Sequence, residues 1–214
     1  MPGPALTVPS ADIAGLTVHL RNDLTAEPTS IVIPGQTATM TAVKIADAQG
    51  RQRVRSFTHE AAQNGGLADY AWADIKPGTY LYHSGTHPQV QVQMGLYGAV
   101  VKNFLDGIPE VPAIPSNPAV PGDPGTPAVP AVPGQAYEGL PYGAELTLLF
   151  SEIDPAQHAA IAAGTFGTAG APATPCPDSG GARMPMTSTL CYKPKYFLVN
   201  GKPYPDSNAA MPTL

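Results

Sequence analysis

His83 and His87 lie in the string HSGTHP (83–88) and are the leading metal candidates of this chain. A neutral imidazole is a good ligand for copper or zinc. On an extended strand the two rings would stand ~13 Å apart, too far to share one ion. Gly85 permits a tight bend and Pro88 ends it, so the turn can bring the rings together. Two ligands hold neither ion tightly. His59, in SFTHE (56–60), becomes a third ligand if its strand pairs nearby. The plainer reading is that each imidazole hydrogen-bonds locally.

Other reactive side chains carry less. Nothing in the spacing of Glu60 and Asp69 brings the two carboxylates together as an acid–base couple. Ser84 has a histidine beside it but lacks the Gly-x-Ser-x-Gly setting of a hydrolase nucleophile. No glycine-rich loop follows a strand and opens a helix, so nucleotide binding has no support. His19 alternates with strand core positions and faces solvent in this reading, and His158 falls on a helix. Lys44, Arg51, Arg53 and Arg55 read as a solvated strand face. Tyr70, Trp72, Tyr80, Tyr82 and Tyr97 gather near the histidine loop and read as core residues whose polar tips reach a partner.

The elements that must position these groups are short strands. The chain has 214 residues, 11 Lys plus Arg against 16 Asp plus Glu, and a net charge of −5. That balance argues against a nucleic-acid partner. Gly (22) and Pro (26) together disfavour a helix bundle and favour strands joined by turns. No apolar run approaches the ~18 residues of a membrane span, so no membrane contact is expected. The opening MPGPALTV carries no basic and apolar leader pattern. Cys176 and Cys191 are the two cysteines. An even count fits a disulfide or two free buried thiols; in an oxidising compartment the two should pair.

GLTVHLRND (15–23) alternates apolar and polar residues as a half-buried strand does. SIVI (30–33), TATMTAV (37–43), RVRSFTH (53–59), DYAWADI (69–75), GTYLYHS (78–84) and the long run 89–103 are predicted as further strands. Residues 109–133 then place Pro at every third position, nine times. Gly does not hold the third place throughout, so collagen is excluded. The period suits polyproline II, with Val111, Ile114, Val120, Val129 and Val132 as an apolar stripe. Straight, it would span roughly 75–80 Å; otherwise it bends at Gly122 and Gly125, loops out or reaches a neighbour. Beyond it, ELTLLFSEI (145–153) reads as a strand. DPAQHAAIAAG (154–164) reads as a helix with Asp154 as N-cap, Pro155 at the first position and Gly164 as its stop. Residues 165–190 read as a loop, and KYFLVNGKPYPD (195–206) as a strand and turn.

Several strings together resemble the multicopper oxidases, which are built from cupredoxin domains. GLTVHLRNDL (15–24) looks like their second strand, and TSIVIPG (29–35) sits where the family carries Ser-Ile-His-Trp-His-Gly. KPGTYLYHSGTH (76–87) looks like their Pro-Gly-Thr-Tyr-Trp-Tyr-His-x-His segment, followed by GLYGAVV (95–101). SEIDP (151–155) and FLVNGKPY (197–204) resemble the approach to their second domain. The departures fall on the copper ligands. Val32 and Pro34 replace the first His-x-His pair. Counting from both flanks places His83 and His87 at the second pair, with Gln91 at the family's following glutamine, if two residues are inserted between them. The blue-copper Cys-His motif is absent.

The resemblance implies an all-β fold: a cupredoxin-like Greek-key β-sandwich over residues 1–104 and an incomplete second sandwich with one short helix over 140–214, while the Pro-rich linker over 105–139 lies outside the resemblance. Leu16, Val18, Leu20, Tyr80, Leu96 and Val100 are expected in the first core. Copper is the implied cofactor, with His83, His87 and His59 as its candidate ligands and no catalytic residue assigned. Two functions follow: the N-terminal part of a larger copper- and O2-dependent oxidoreductase, inactive alone, or a non-catalytic structural or assembly module that kept the fold. Either is expected outside the cell or in the periplasm. The apolar edge of the proline segment points to a homo-oligomer or larger assembly.

Overall fold

A computed structural model describes residues 2–10, 15–36, 38, 40–108, 111–115, 125–167 and 189–203. Strand β1 (Leu6–Val8) runs parallel to β7 (Tyr97–Lys102), and β7 runs antiparallel to β6 (Gly78–His83). A second layer pairs β2 (Leu16–Asn22) with β5 (Gly66–Trp72), from Leu16 opposite Trp72 to Asn22 opposite Gly66. A third pair joins β3 (Val43–Ala46) to β4 (Gln52–Ser56). The core draws on both layers and on the connection between β2 and β3: Val8, Ile31, Ile33, Tyr70, Trp72, Ile75 and Val100. This is the cupredoxin-like all-β fold expected from the family resemblance. Leu16, Val18, Leu20 and Tyr80 pack against that core as partly buried residues. Leu96 does not belong to it; it is 38% exposed.

The alternation QVQVQ (89–93) misleads. Residues Pro88–Gln91 form a helical turn, α1, and the strand begins only at Tyr97. Pro88 occupies the first helical turn, where its fixed φ fits and its missing N–H costs nothing. Neighbouring Val90 and Gln91 are both buried, which a strand with one buried face cannot arrange. The stretches 30–33 and 37–43 also fall short of strands. Val32 makes a single bridge to His83, and in 37–43 only Val43 is in a described strand. Residues 31–33 are buried one after another, which places them between layers.

The proline segment doubles back on itself. Ile108 pairs with Val132, Val111 with Val129 and Ile114 with Thr126, and each pair exchanges both backbone hydrogen bonds at 2.9–3.0 Å. The bonding residue always immediately precedes a proline. Proline has no N–H to give, so the ladder uses one residue per triplet. The turn expected at Gly122 lies outside the described residues. Ile108, Val111, Ile114, Val129 and Val132 stay 40–62% exposed along the two arms.

Beyond this hairpin, β8 (Gly134–Tyr137) pairs with β9 (Leu140–Tyr142), and β10 (Phe150–Ile153) leads to α2 (Pro155–Ala162). β11 (Tyr196–Val199) pairs antiparallel with β10 and with β12 (Lys202–Pro203). Helix α2 starts and stops as its sequence predicts. The Asp154 carboxylate accepts from Ala156 N–H at 2.9 Å, and Gly164 sits at φ +67°. The other Asp154 oxygen accepts from Lys193 N–H at 2.7 Å, tying the helix to the segment that enters β11. Cys191 is disulfide-bonded; Cys176, the only other cysteine of the sequence, lies outside the described residues.

Candidate functional site

The segment that carries His83 and the segment that carries Val32 meet edge to edge. Val32 and His83 exchange both backbone hydrogen bonds, at 2.9 and 3.0 Å. Val32 is 5% exposed, so a methyl-bearing side chain fills the place beside His83. His83 Nδ1 lies 2.8 Å from the Ser84 carbonyl, which can only accept, so Nδ1 carries the proton.

Between these segments lies a packed polar network. Thr29, Ser30, Ser56, Ser84, Thr86 and Gln91 are all buried, and side-chain bonds join them as Thr29–Gln91–Ser84 and Ser30–Ser56–Thr86, the two groups being linked through the Thr86 backbone. Thr86 also donates to Glu60, which pairs with Arg55. Gly85 sits against it. A Cβ there would stand 2.9 Å from Val32 Cγ1 and 3.0 Å from Ser30 Oγ.

The other two candidate histidines turn elsewhere. His87 adopts the left-handed conformation (φ 44°) at the start of α1, and its Nδ1 lies 3.1 Å from Glu27 Oε2. His59 stacks on Tyr70 with centroids 4.4 Å apart. Its Nε2 donates to the Asp69 carbonyl at 2.9 Å, leaving Nδ1 to accept from the Thr58 hydroxyl at 3.2 Å. Among the described residues no group of three or more His, Cys, Asp or Glu is placed to hold a metal ion.

A multicopper oxidase family model matches residues 1–107, half of the chain. The chain belongs to the multicopper oxidase family. No curated protein and no solved structure matches it.

For a multicopper oxidase the family implies copper. In this one, the histidines named from the sequence are placed on three different partners: the Ser84 carbonyl, Glu27, and the Thr58–Asp69 pair. His83 also lines a cleft of about 460 Å3 between α1 and the second unit, with Val92, Gln93, Gln157 and Tyr192. Burial and the neighbouring Glu152 push the Tyr192 phenol up to about 12. Burial likewise lifts Tyr70 to about 12. Both phenols stay neutral and serve as hydrogen-bond donors, Tyr70 to the His59 carbonyl at 2.8 Å. Arg51 and Arg53 lie on the surface. Both reach Asp47, at 2.7 and 3.0 Å, and water screens such exposed pairs, so they add little to stability.

Sequence reading missed the polar network. Its signal was present as Ser, Thr and Gln at positions flanking the candidate ligands. Those types are common in loops, and only burial sets them apart.

Proposed function

We propose that this chain is a multicopper-oxidase unit without a working copper centre of its own, and that it acts as a structural and assembly module. The observation that carries this reading is the backbone pairing of Val32 with His83. The first position that a histidine occupies in the family is taken by an aliphatic side chain, in contact range of the remaining ligand segment. Val32 and Pro34 offer no lone pair for a metal, and a side chain at position 85 would collide with Val32 and Ser30. The residues present do not fit a trinuclear copper centre, so no catalytic step is assigned to them. Copper analysis of the purified chain tests the reading. Less than one-tenth of an equivalent after dialysis is expected, and one tightly held equivalent per chain would overturn it. If copper does bind, His83 and His87, with His59, are its ligands, and His83→Ala and His87→Ala must each weaken the titration.

The assembly role rests on the proline hairpin. Five branched aliphatic side chains stay exposed along it, and Ile108, Val111, Ile114, Thr126, Val129 and Val132 use their backbone groups within the hairpin. We place the unit boundaries at 1–104, 105–139 and 140–214 and the chain outside the cell or in the periplasm, where the disulfide of Cys191 would persist. Its partner in this reading is a second copy or a larger assembly. Deleting 109–133 should leave the first sandwich folded and reduce the sedimenting mass. An unchanged mass would leave the segment as a linker. For a longer parent protein the reading remains a copper-dependent oxidoreductase using O2, with its reactive centres in other domains. Oxygen uptake by this chain with copper and a phenol would favour that alternative here.

A further inference from the structure

We infer that the buried hydroxyl and amide network around Thr86 and Gln91 holds the sandwich together at the place where the family would hold a metal. This inference rests on the copper-free reading above. A bound metal stabilises a fold by fixing ligands from separate segments in one place. Here four segments meet through side-chain and backbone hydrogen bonds: the stretch 28–30 after β2, residues 56–60 at the end of β4, residues 84–86 after β6, and α1.

The side chains of the network meet at hydrogen-bond distance. Gln91 Oε1 accepts from the Thr29 hydroxyl at 2.7 Å and from the Ser84 hydroxyl at 2.6 Å. Gln91 Nε2 donates to the Pro28 carbonyl at 2.8 Å. Ser84 Oγ, having given its proton to Gln91, accepts from Thr86 N–H at 3.1 Å. The Thr86 hydroxyl donates to Glu60 Oε1 at 3.0 Å, and a carboxylate can only accept. The Thr86 hydroxyl is also placed as donor to the Ser30 and Ser56 oxygens, 2.9 and 3.1 Å away and 3.0 Å from each other, so its one proton is shared among three acceptors. Every hydroxyl of the network lies within hydrogen-bond distance of at least two partners. None of these atoms is among the unpartnered buried polar atoms of the described residues. A fully satisfied network rigidifies, whereas removing one member leaves several partners buried and unpaired.

The geometry also explains why glycine stands at 85. Val32 Cγ1 and Ser30 Oγ occupy the space that any side chain there would need. The valine, the glycine and the hydroxyls form one packing unit, so restoring one histidine at position 32 does not rebuild a metal site.

Thermal unfolding of the full chain, in chelator and in excess copper(II), tests this. The wild-type midpoint should be the same in both. Thr86→Val and Gln91→Leu should each lower it by about 3–8 °C, while Thr86→Ser, which keeps the hydroxyl, should stay within about 2 °C. If Thr86→Val does not fold, Thr29→Val and Gln91→Leu carry the test. Their double variant should lose less than the sum, because both act through Gln91 Oε1. Midpoints unchanged in the single variants, or strictly additive losses, overturn the network's role and leave the copper-free reading intact. A wild-type midpoint raised by copper overturns the copper-free reading instead.

Discussion

Val32 and His83 face each other across an isolated antiparallel bridge, each donating to and accepting from the other. The backbone geometry that would bring two ligand segments together is therefore retained, while the side chain on one side of it is aliphatic. Val32→His would set an imidazole beside His83 and still give only two ligands. We expect this variant to take up copper that is lost on dialysis. Retention of one equivalent, measured by elemental analysis, would show that further ligands are at hand.

The hairpin makes a prediction of its own about exchange. The amides of Ile108, Val111, Ile114, Thr126, Val129 and Val132 donate across the ladder. Those of Ala113, Ala128 and Ala131 have no partner among the described residues. Hydrogen exchange followed by NMR should find one slowed amide per triplet, at the pre-proline residue. Uniformly fast exchange through 108–133 would mean that the arms do not pair in solution.

Asp154 holds two elements at once. Its side chain is fully buried, caps α2 through Ala156 N–H and accepts from Lys193 N–H. Asp154→Ala should cost about 2 kcal/mol, above the ~1 kcal/mol of a typical cap, because the carboxylate accepts from the Lys193 N–H as well as capping the helix. Chemical denaturation measures it. A loss below about 1 kcal/mol would mean that water replaces both contacts.

Alkaline pH should unfold the chain in a defined window. Burial raises the Tyr70 and Tyr192 phenols to about 12, above their ordinary value of 10.0. The neutral form is favoured in the folded state, so this stability is fully present below pH ~10 and is lost as pH rises toward 12. Titration followed at 295 nm should show these two phenols ionising late, with Tyr70→Phe removing one late component. A single transition near pH 10 with the chain still folded would contradict the burial.

Some of this protein was legible in its residues alone. The alternation of Leu16, Val18 and Leu20 marks β2, and Asp154, Pro155 and Gly164 mark α2, because those signals are local. An N-cap acts within one turn, and a half-buried strand shows its period on its own. The strings around Val32 and His83 place the chain in its family for the same reason. Tertiary structure decided what depends on distant partners. QVQVQ has the period of a strand, yet Gln91 turns inward to meet Thr29 and Ser84, and that contact selects the helical turn. The proline triplets state their period but not that the two arms bond to each other, since pairing joins residues up to 24 positions apart, Ile108 to Val132. The buried network is the clearest case. Serine, threonine and glutamine say nothing about burial, and only when four segments converge does each hydroxyl find the acceptor that lets it leave water.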